Sequence, residues 1–226
     1  MTRIDLAKPI LDKNDRLAAG NRALFDEKGV FVLDLMASPG AGKTSTILAT
    51  IAALRDRYGI AVIEGDIASK VDAEKIKAHG IPAVQINTGG ACHLESDMIK
   101  RAVDALDLDA LDLIIVENVG NLVCPTEFDL GEHAKVMILR VPEGHDKPYK
   151  YPNIFQISEA VILNKVDTMH VFDFDESEFE GVVRSLNPTA PIFRIAATKG
   201  DGVGEWAEWL AGRIEAVRIA AGKEPR

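Results

Sequence analysis

The sequence predicts an α/β protein, a single domain built on one mostly parallel sheet with helices on both faces. Three observations carry that expectation. Short apolar runs of strand length alternate with runs of helical length along most of the 226 residues, an order that produces right-handed crossovers and parallel pairing. Some of the strand-length runs, LDLIIVE at 111–117 most clearly, are almost continuously apolar, as strands covered on both faces are. No repeat, low-complexity tract or linker interrupts the pattern.

Composition sets the bounds. A chain of this length can bury one sizeable core, and 47% hydrophobic with 27% charged residues is the balance of a soluble globular protein. No apolar run approaches the roughly 20 residues of a membrane span, and MTRIDLAKPILDKND lacks a signal-peptide core. The formal net charge of −9 argues against nucleic acid, which requires a basic face. Two cysteines, Cys92 and Cys124, cannot form a disulfide framework. The expectation is a cytoplasmic protein with neither membrane nor nucleic acid as partner.

Residues 9–28 read as a helix, because Ile10, Leu17 and Leu24, and Leu11, Ala18 and Phe25, recur seven apart in one apolar stripe. That stripe could pack on the sheet or against a second subunit. It suggests a division into a helical segment, 1–29, and the main domain, 30–226. Val30 to Met36 is an apolar strand, followed by the loop Ser38-Pro39-Gly40-Ala41-Gly42 and a helix beginning near Lys43. Strands are expected at 60–64, 83–87, 111–117, 134–141, 160–164 and 191–197. Helices are expected at 72–79, 95–106, 176–186 and 203–221. The irregular stretches 118–133 and 142–153 exceed ordinary loop lengths and are candidates for moving parts.

Strand, small-residue loop, Gly42-Lys43-Thr44 and helix form the context of a phosphate-binding loop. Backbone N–H groups and the helix start would face the phosphates, Lys43 would add a cation, and Thr44 could ligate Mg²⁺. Candidate contacts are Gly40, Ala41, Gly42, Lys43, Thr44 and Ser45. Ala37 stands where the pattern has its first glycine, which suits any backbone short of positive φ. The chain therefore reads as a P-loop NTPase. In a parallel sheet the ligand lies beyond the carboxyl ends of the strands, and further features fall there. Asn164-Lys165-Val166-Asp167 follows the strand AVILN, and Asp167 could accept both N1–H and N2–H₂ of guanine, which adenine does not offer. Asn164 would brace the base-binding loops or reach the base N7. Glu117 could hold Mg²⁺ through water, and Gly120 could offer its amide to the γ-phosphate, releasing the loop once that phosphate is lost. Asp66 is the other acidic candidate, near the metal or the attacking water. A small-molecule kinase on this core would need an Arg-rich lid, and none is present.

Cys92-His93 and Cys124 sit in loops on the same edge. Two free cysteines are commonly just buried apolar side chains, yet two thiolates and an imidazole also suit Zn²⁺ or Ni²⁺. The spacing leaves both readings open, with His133 as a possible fourth ligand.

Taken together, SPGAGKT at Ser38, IEGDIAS at Ile63, VQINTGGACHLE at Val84, IIVENVGNLVCPTEFDLGEHAKV at Ile114, EGHDKPYKYP at Glu143 and NKVD at Asn164 resemble the HypB family. These are GTPases that insert nickel during hydrogenase maturation. The resemblance runs from about Val30 to the C-terminus. It implies GTP hydrolysis with Mg²⁺, catalytic roles for Lys43, Thr44, Asp66 and Glu117, and a Ni²⁺ or Zn²⁺ site of Cys92, His93 and Cys124. It also implies a GTP-dependent homodimer working with hydrogenase maturation proteins and the hydrogenase large subunit. A metallochaperone GTPase for another nickel enzyme such as urease, or a non-catalytic dimer locked by nucleotide, are the alternatives. The N-terminal cysteine motif or histidine-rich tract of many relatives is not found in this sequence, so nickel storage is not implied. Ala68-Ser69-Lys70-Val71 and Ala196-Ala197-Thr198 also depart from the family pattern.

Overall fold

A computed structural model describes residues 7–65, 76 and 80–226. Among them the chain forms one seven-stranded sheet in the order β3-β2-β4-β1-β5-β6-β7, every pair parallel. The strands are β1 (Phe31–Ala37), β2 (Ile60–Glu64), β3 (Ala83–Gln85), β4 (Leu113–Glu117), β5 (Ala134–Arg140), β6 (Ala160–Asn164) and β7 (Ile192–Ile195). The helices are α1 (Ala7–Lys28), α2 (Lys43–Leu54), α3 (Ser96–Val103), α4 (Lys147–Lys150), α5 (Pro152–Ile157), α6 (Glu176–Leu186) and α7 (Val203–Ala220). None of the described helices is long and apolar enough to cross a membrane.

The side-chain alternation of a strand sorts the core. Phe31, Leu33 and Leu35 of β1 face α2 and α7, packing with Ile47, Ile51, Trp206 and Leu210. Trp206 has no exposed surface and donates its indole N–H to Thr50 Oγ1 at 2.8 Å, tying those two helices together. The opposite face is shared. Val32, Ile114 and Val116 lie under α1 and α3, while Met36, Met137 and Leu139 lie under α5 and α6. Both faces of β1 are therefore dry, which is why its sequence shows no polar alternation.

Several expected elements differ in extent. The helix near residues 95–106 is regular only from Ser96 to Val103, and the strand at 83–87 closes at Gln85. The stretch 142–153, expected to be irregular, contains α4 and the start of α5, each with proline in its first turn. Helices of four and six residues are too short to show a 3.6-residue period. Of the helix expected at 72–79 only Ile76 is described, and it is buried in the core.

The apolar stripe of α1 packs on its own sheet. Phe25 is fully buried among Val30, Val32 and Leu130, and Asn21 Nδ2 donates to the carbonyls of Ser96 and Leu130 at 2.9 and 3.0 Å. Phe25→Ala should lower the unfolding free energy by about 3–5 kcal/mol, equally at low and high protein concentration. Urea denaturation at two concentrations checks this, and a loss that varies with concentration would place the stripe at a subunit contact instead.

Candidate nucleotide and metal site

The phosphate loop leaves the carboxyl end of the central strand. Ala37 continues β1, so the departure from glycine there costs no strain. Glycine is required at position 42, where φ is +98° and an added Cβ would stand 2.5 Å from Asn164 Nδ2. Lys43 opens α2 and is only 6% exposed. Thr44 Oγ1 lies 3.1 and 3.3 Å from the two carboxylate oxygens of Glu117, which ends β4 and is buried. A hydroxyl facing a buried carboxylate beside a phosphate loop is a donor set that fits Mg²⁺. Asp66 lies outside the described residues.

The loops after β6 and β7 and the phosphate loop converge on one amide. Asn164 Nδ2 donates to the Ala41 carbonyl at 3.0 Å, while its Oδ1 accepts from the backbone N–H of Lys165 at 2.8 Å and of Ala197 at 3.2 Å. These bonds tie the loops after β6 and β7 to the phosphate loop. Lys165 adopts φ +61° and donates from Nζ to the Gly40 carbonyl at 3.1 Å. Asp167 is paired with Lys199, Nζ to Oδ2 3.0 Å.

The loop after β4 reaches both ends of the site. Gly120 lies against the phosphate loop, where an added Cβ would sit 3.0–3.2 Å from three atoms of Pro39. Four residues later Cys124 joins Cys92 and His93, their ligand atoms all within 4.8 Å of one another. Asn121 Nδ2 donates to the Cys92 carbonyl at 3.1 Å, joining the two loops. His93 Nδ1 lies 3.5 Å from Cys92 Sγ, and its ring stacks on Phe128 with centroids 3.7 Å apart. The hydrogen bond to Cys124, with added burial, pushes the Cys92 thiol upward. Two thiols and an imidazole fit Ni²⁺ or Zn²⁺ chemically. His133 is not part of this cluster. Its Nδ1 accepts from the Val32 N–H at 2.9 Å, its Nε2 meets Asp26 at 3.1 Å, and it stacks on Phe31.

A family model described as the CobW/HypB/UreG nucleotide-binding domain matches residues 31–194. The hydrogenase maturation factor HypB of Azotobacter vinelandii is 48% identical, over 98% of this chain and 75% of its own length. The crystal structure of HypB from Helicobacter pylori in complex with nickel has a TM-score of 0.85 at 39% identity, covering 90% of this chain and 96% of that one. The chain belongs to the HypB family of hydrogenase maturation factors. A further member, the hydrogenase/urease maturation factor HypB of Helicobacter pylori, is 40% identical over 92% of this chain and 86% of its own length. The P-loop NTPase fold of the family implies nucleotide binding.

The structure also brings together residues that the motifs alone do not reveal. Glu64, the last residue of β2, is buried and lies in register with Glu117, so two carboxylates stand at neighbouring strand ends. Asn118 donates from Nδ2 to both carboxylate oxygens of Asp34 at 3.0 and 3.2 Å, and its backbone N–H bonds the Leu35 carbonyl. Asp34 is fully buried in β1, and Lys135, its register neighbour on β5, approaches to 3.3 Å. Lys135 also meets Glu132 at 3.0 Å and donates to the carbonyls of Pro125 and Phe128. The signal for Asp34 was visible as a lone charge inside an apolar strand.

Burial pushes the Glu132 carboxyl up to about 7, against the opposing pull of Lys135. A carboxyl raised on folding stabilises the fold below its unfolded value of 4.5 and loses that contribution as pH climbs through about 7. Relative to Glu132→Gln, the native chain should therefore lose stability across that window, on the order of 1–3 kcal/mol. Paired denaturation curves at several pH values check it; a constant difference between the two proteins would contradict it.

Proposed function

We propose that this chain is a GTP-hydrolysing metallochaperone that uses the nucleotide cycle to control nickel insertion into hydrogenase. The observation that carries this reading is the single loop, Asn118 to Cys124, which touches the phosphate loop through Gly120 and supplies a metal ligand four residues later. Nickel or zinc is the cargo of Cys92, His93 and Cys124. GTP is the substrate. Lys43 and the backbone N–H groups of residues 40–45 neutralise the β- and γ-phosphates. Thr44 ligates Mg²⁺, with Glu117 and Asp66 ordering the water around it. The ion supplies positive charge to the phosphates when bound. Asp167 selects guanine, and the brace at Asn164 keeps it in register with the phosphate loop.

The protein works in the cytoplasm as a GTP-dependent homodimer, handing metal to other maturation proteins and to the hydrogenase large subunit. Urease is a second candidate client, favoured by the relative from Helicobacter pylori that is named for both enzymes.

Guanine selectivity is the direct test of the enzymatic part. The native chain should prefer GTP to ATP by about 10⁴-fold, the scale of a site that recognises its substrate by buried hydrogen bonds. Asp167→Asn swaps the hydrogen-bond polarity, so it should weaken GTP binding and strengthen binding of xanthosine triphosphate. Equal affinities of the native protein for ATP and GTP would refute the assignment.

A further inference from the structure

The segment from Cys92 to Ser96 turns two side chains to one side of the chain. Leu94 is fully buried, packed with Ile63, Ile99 and Val116, and Glu95 is extended at φ −119° and ψ 156°. Along extended backbone, residues two apart share a side. Anchoring Leu94 in the core therefore turns His93 and Glu95 outward together. His93 Nδ1 faces the cluster, 3.5 Å from Cys92 Sγ. The other ring nitrogen, Nε2, is buried with no hydrogen-bond partner among the described residues, and Glu95 Oε1 stands 3.6 Å from it.

Phe128 covers the imidazole, with ring centroids 3.7 Å apart and 21° between the planes. Rotation about the Cβ–Cγ bond would sweep the imidazole out of its plane into that ring, so the stack keeps Nδ1 on the thiol side. The backbone around Phe128 is held in turn. Lys135 Nζ donates to the Phe128 carbonyl at 2.8 Å, Asn14 Nδ2 to the Asp129 carbonyl at 2.7 Å and Asn21 Nδ2 to the Leu130 carbonyl at 3.0 Å. The same two asparagines hold the other side. Ser96 donates from its backbone N–H and its hydroxyl to Asn14 Oδ1, both at 2.9 Å, and its carbonyl accepts from Asn21 Nδ2 at 2.9 Å. Helix α1 thus sets the gap in which the imidazole lies.

We propose that His93 takes the metal through Nδ1, and that Phe128 and Glu95 are the positioning residues that present it. The proposal rests on the metal-carrying reading above. A neutral imidazole that gives the Nδ1 lone pair to an ion carries its proton on Nε2. A buried N–H needs an acceptor, and closing the gap to Glu95 by about 0.5 Å brings its carboxylate to hydrogen-bond length. Burial of Nε2 closes that nitrogen to an ion arriving from solvent and leaves it open to a neighbouring side chain. A carboxylate behind a ligating imidazole fixes its tautomer and raises its basicity. Glu95 acts from behind the ring and Phe128 from above it.

Zinc is diamagnetic and reads the tautomer directly. In the full chain loaded with Zn²⁺, long-range ¹H–¹⁵N correlation should show His93 Nδ1 bound to metal and Nε2 protonated, with the signals assigned by their loss in His93→Gln. Nickel affinity, measured by calorimetry, tests the two positioning residues. Glu95→Ala and Phe128→Leu should each weaken nickel binding about 10- to 100-fold. Glu95→Gln keeps an acceptor oxygen and Phe128→Tyr keeps a stacking ring, so both should stay within about threefold of native. The Glu95 side chain caps no helix N–H, and the GDP affinity of the metal-free protein should be unchanged in every variant. Zinc on Nε2 with the proton on Nδ1 would overturn the proposal. So would nickel binding by Glu95→Ala or Phe128→Leu as tight as native. A loss of GDP affinity parallel to the loss of nickel affinity would overturn it too, making both residues braces of the fold. Native nickel affinity in His93→Gln would instead refute the metal site on which the proposal rests.

Discussion

A carboxylate buried at the centre of the sheet governs how this molecule is put together. Asp34 sits on β1 between Val32 and Met36, on the face covered by apolar side chains, and has no exposed surface. Burial pushes its carboxyl upward, while Lys135 and Asn118 hold it toward the charged form. Removing one partner from such a pair strands the other charge, at a cost of about 3–5 kcal/mol. The cluster is thus weak evidence for stability and strong evidence for position. Asn118 begins the long loop after β4, and Lys135 holds two carbonyls further along it. Both ends of the loop are therefore fixed to the strand that delivers the phosphate loop.

Between those fixed points lie Gly120 and Cys124. Gly120 packs on Pro39 of the phosphate loop, and Cys124 stands in the cluster with Cys92 and His93. The second metal-binding loop is set differently. Ser96, which opens α3, donates from its backbone N–H and its hydroxyl to Asn14 of α1. Cys92 and His93 thus belong to a part of the fold that has no direct contact with the phosphate loop among the bonds described. The cluster thus draws its ligand atoms from two loops, one of which packs on the phosphate loop through Gly120. On the opposite flank, Asn164 ties the phosphate loop to the loops after β6 and β7 through three backbone groups.

What could be read from the sequence was what lies close together along it. Val30 to Thr44 announces strand, loop and helix within fifteen residues, and Asn164 to Asp167 follows a strand that the sequence delimits to the residue. The bounds of α6 were equally plain, since Glu176 to Leu186 carries its own periodicity. The partners of Asp34, Asn118 and Glu143 were not legible, because each lies about a hundred residues or so from the group it meets. Cys92, His93 and Cys124 were visible as chemistry on one edge, and the strand order β3-β2-β4-β1 brings their ligand atoms within 4.8 Å of one another. His133 looked like a further ligand, and long-range contacts with Val32 and Asp26 commit both its nitrogens elsewhere.

If one loop serves both nucleotide and metal, as proposed, their binding is coupled. The most direct measurement is a nickel titration by calorimetry of the full chain, once with GDP and once with a non-hydrolysable GTP analogue. The affinities should differ by about 5- to 150-fold, a coupling of roughly 1–3 kcal/mol, and nickel should change the ratio of nucleotide affinities by the same factor. Identical nickel affinities in the two nucleotide states would contradict it.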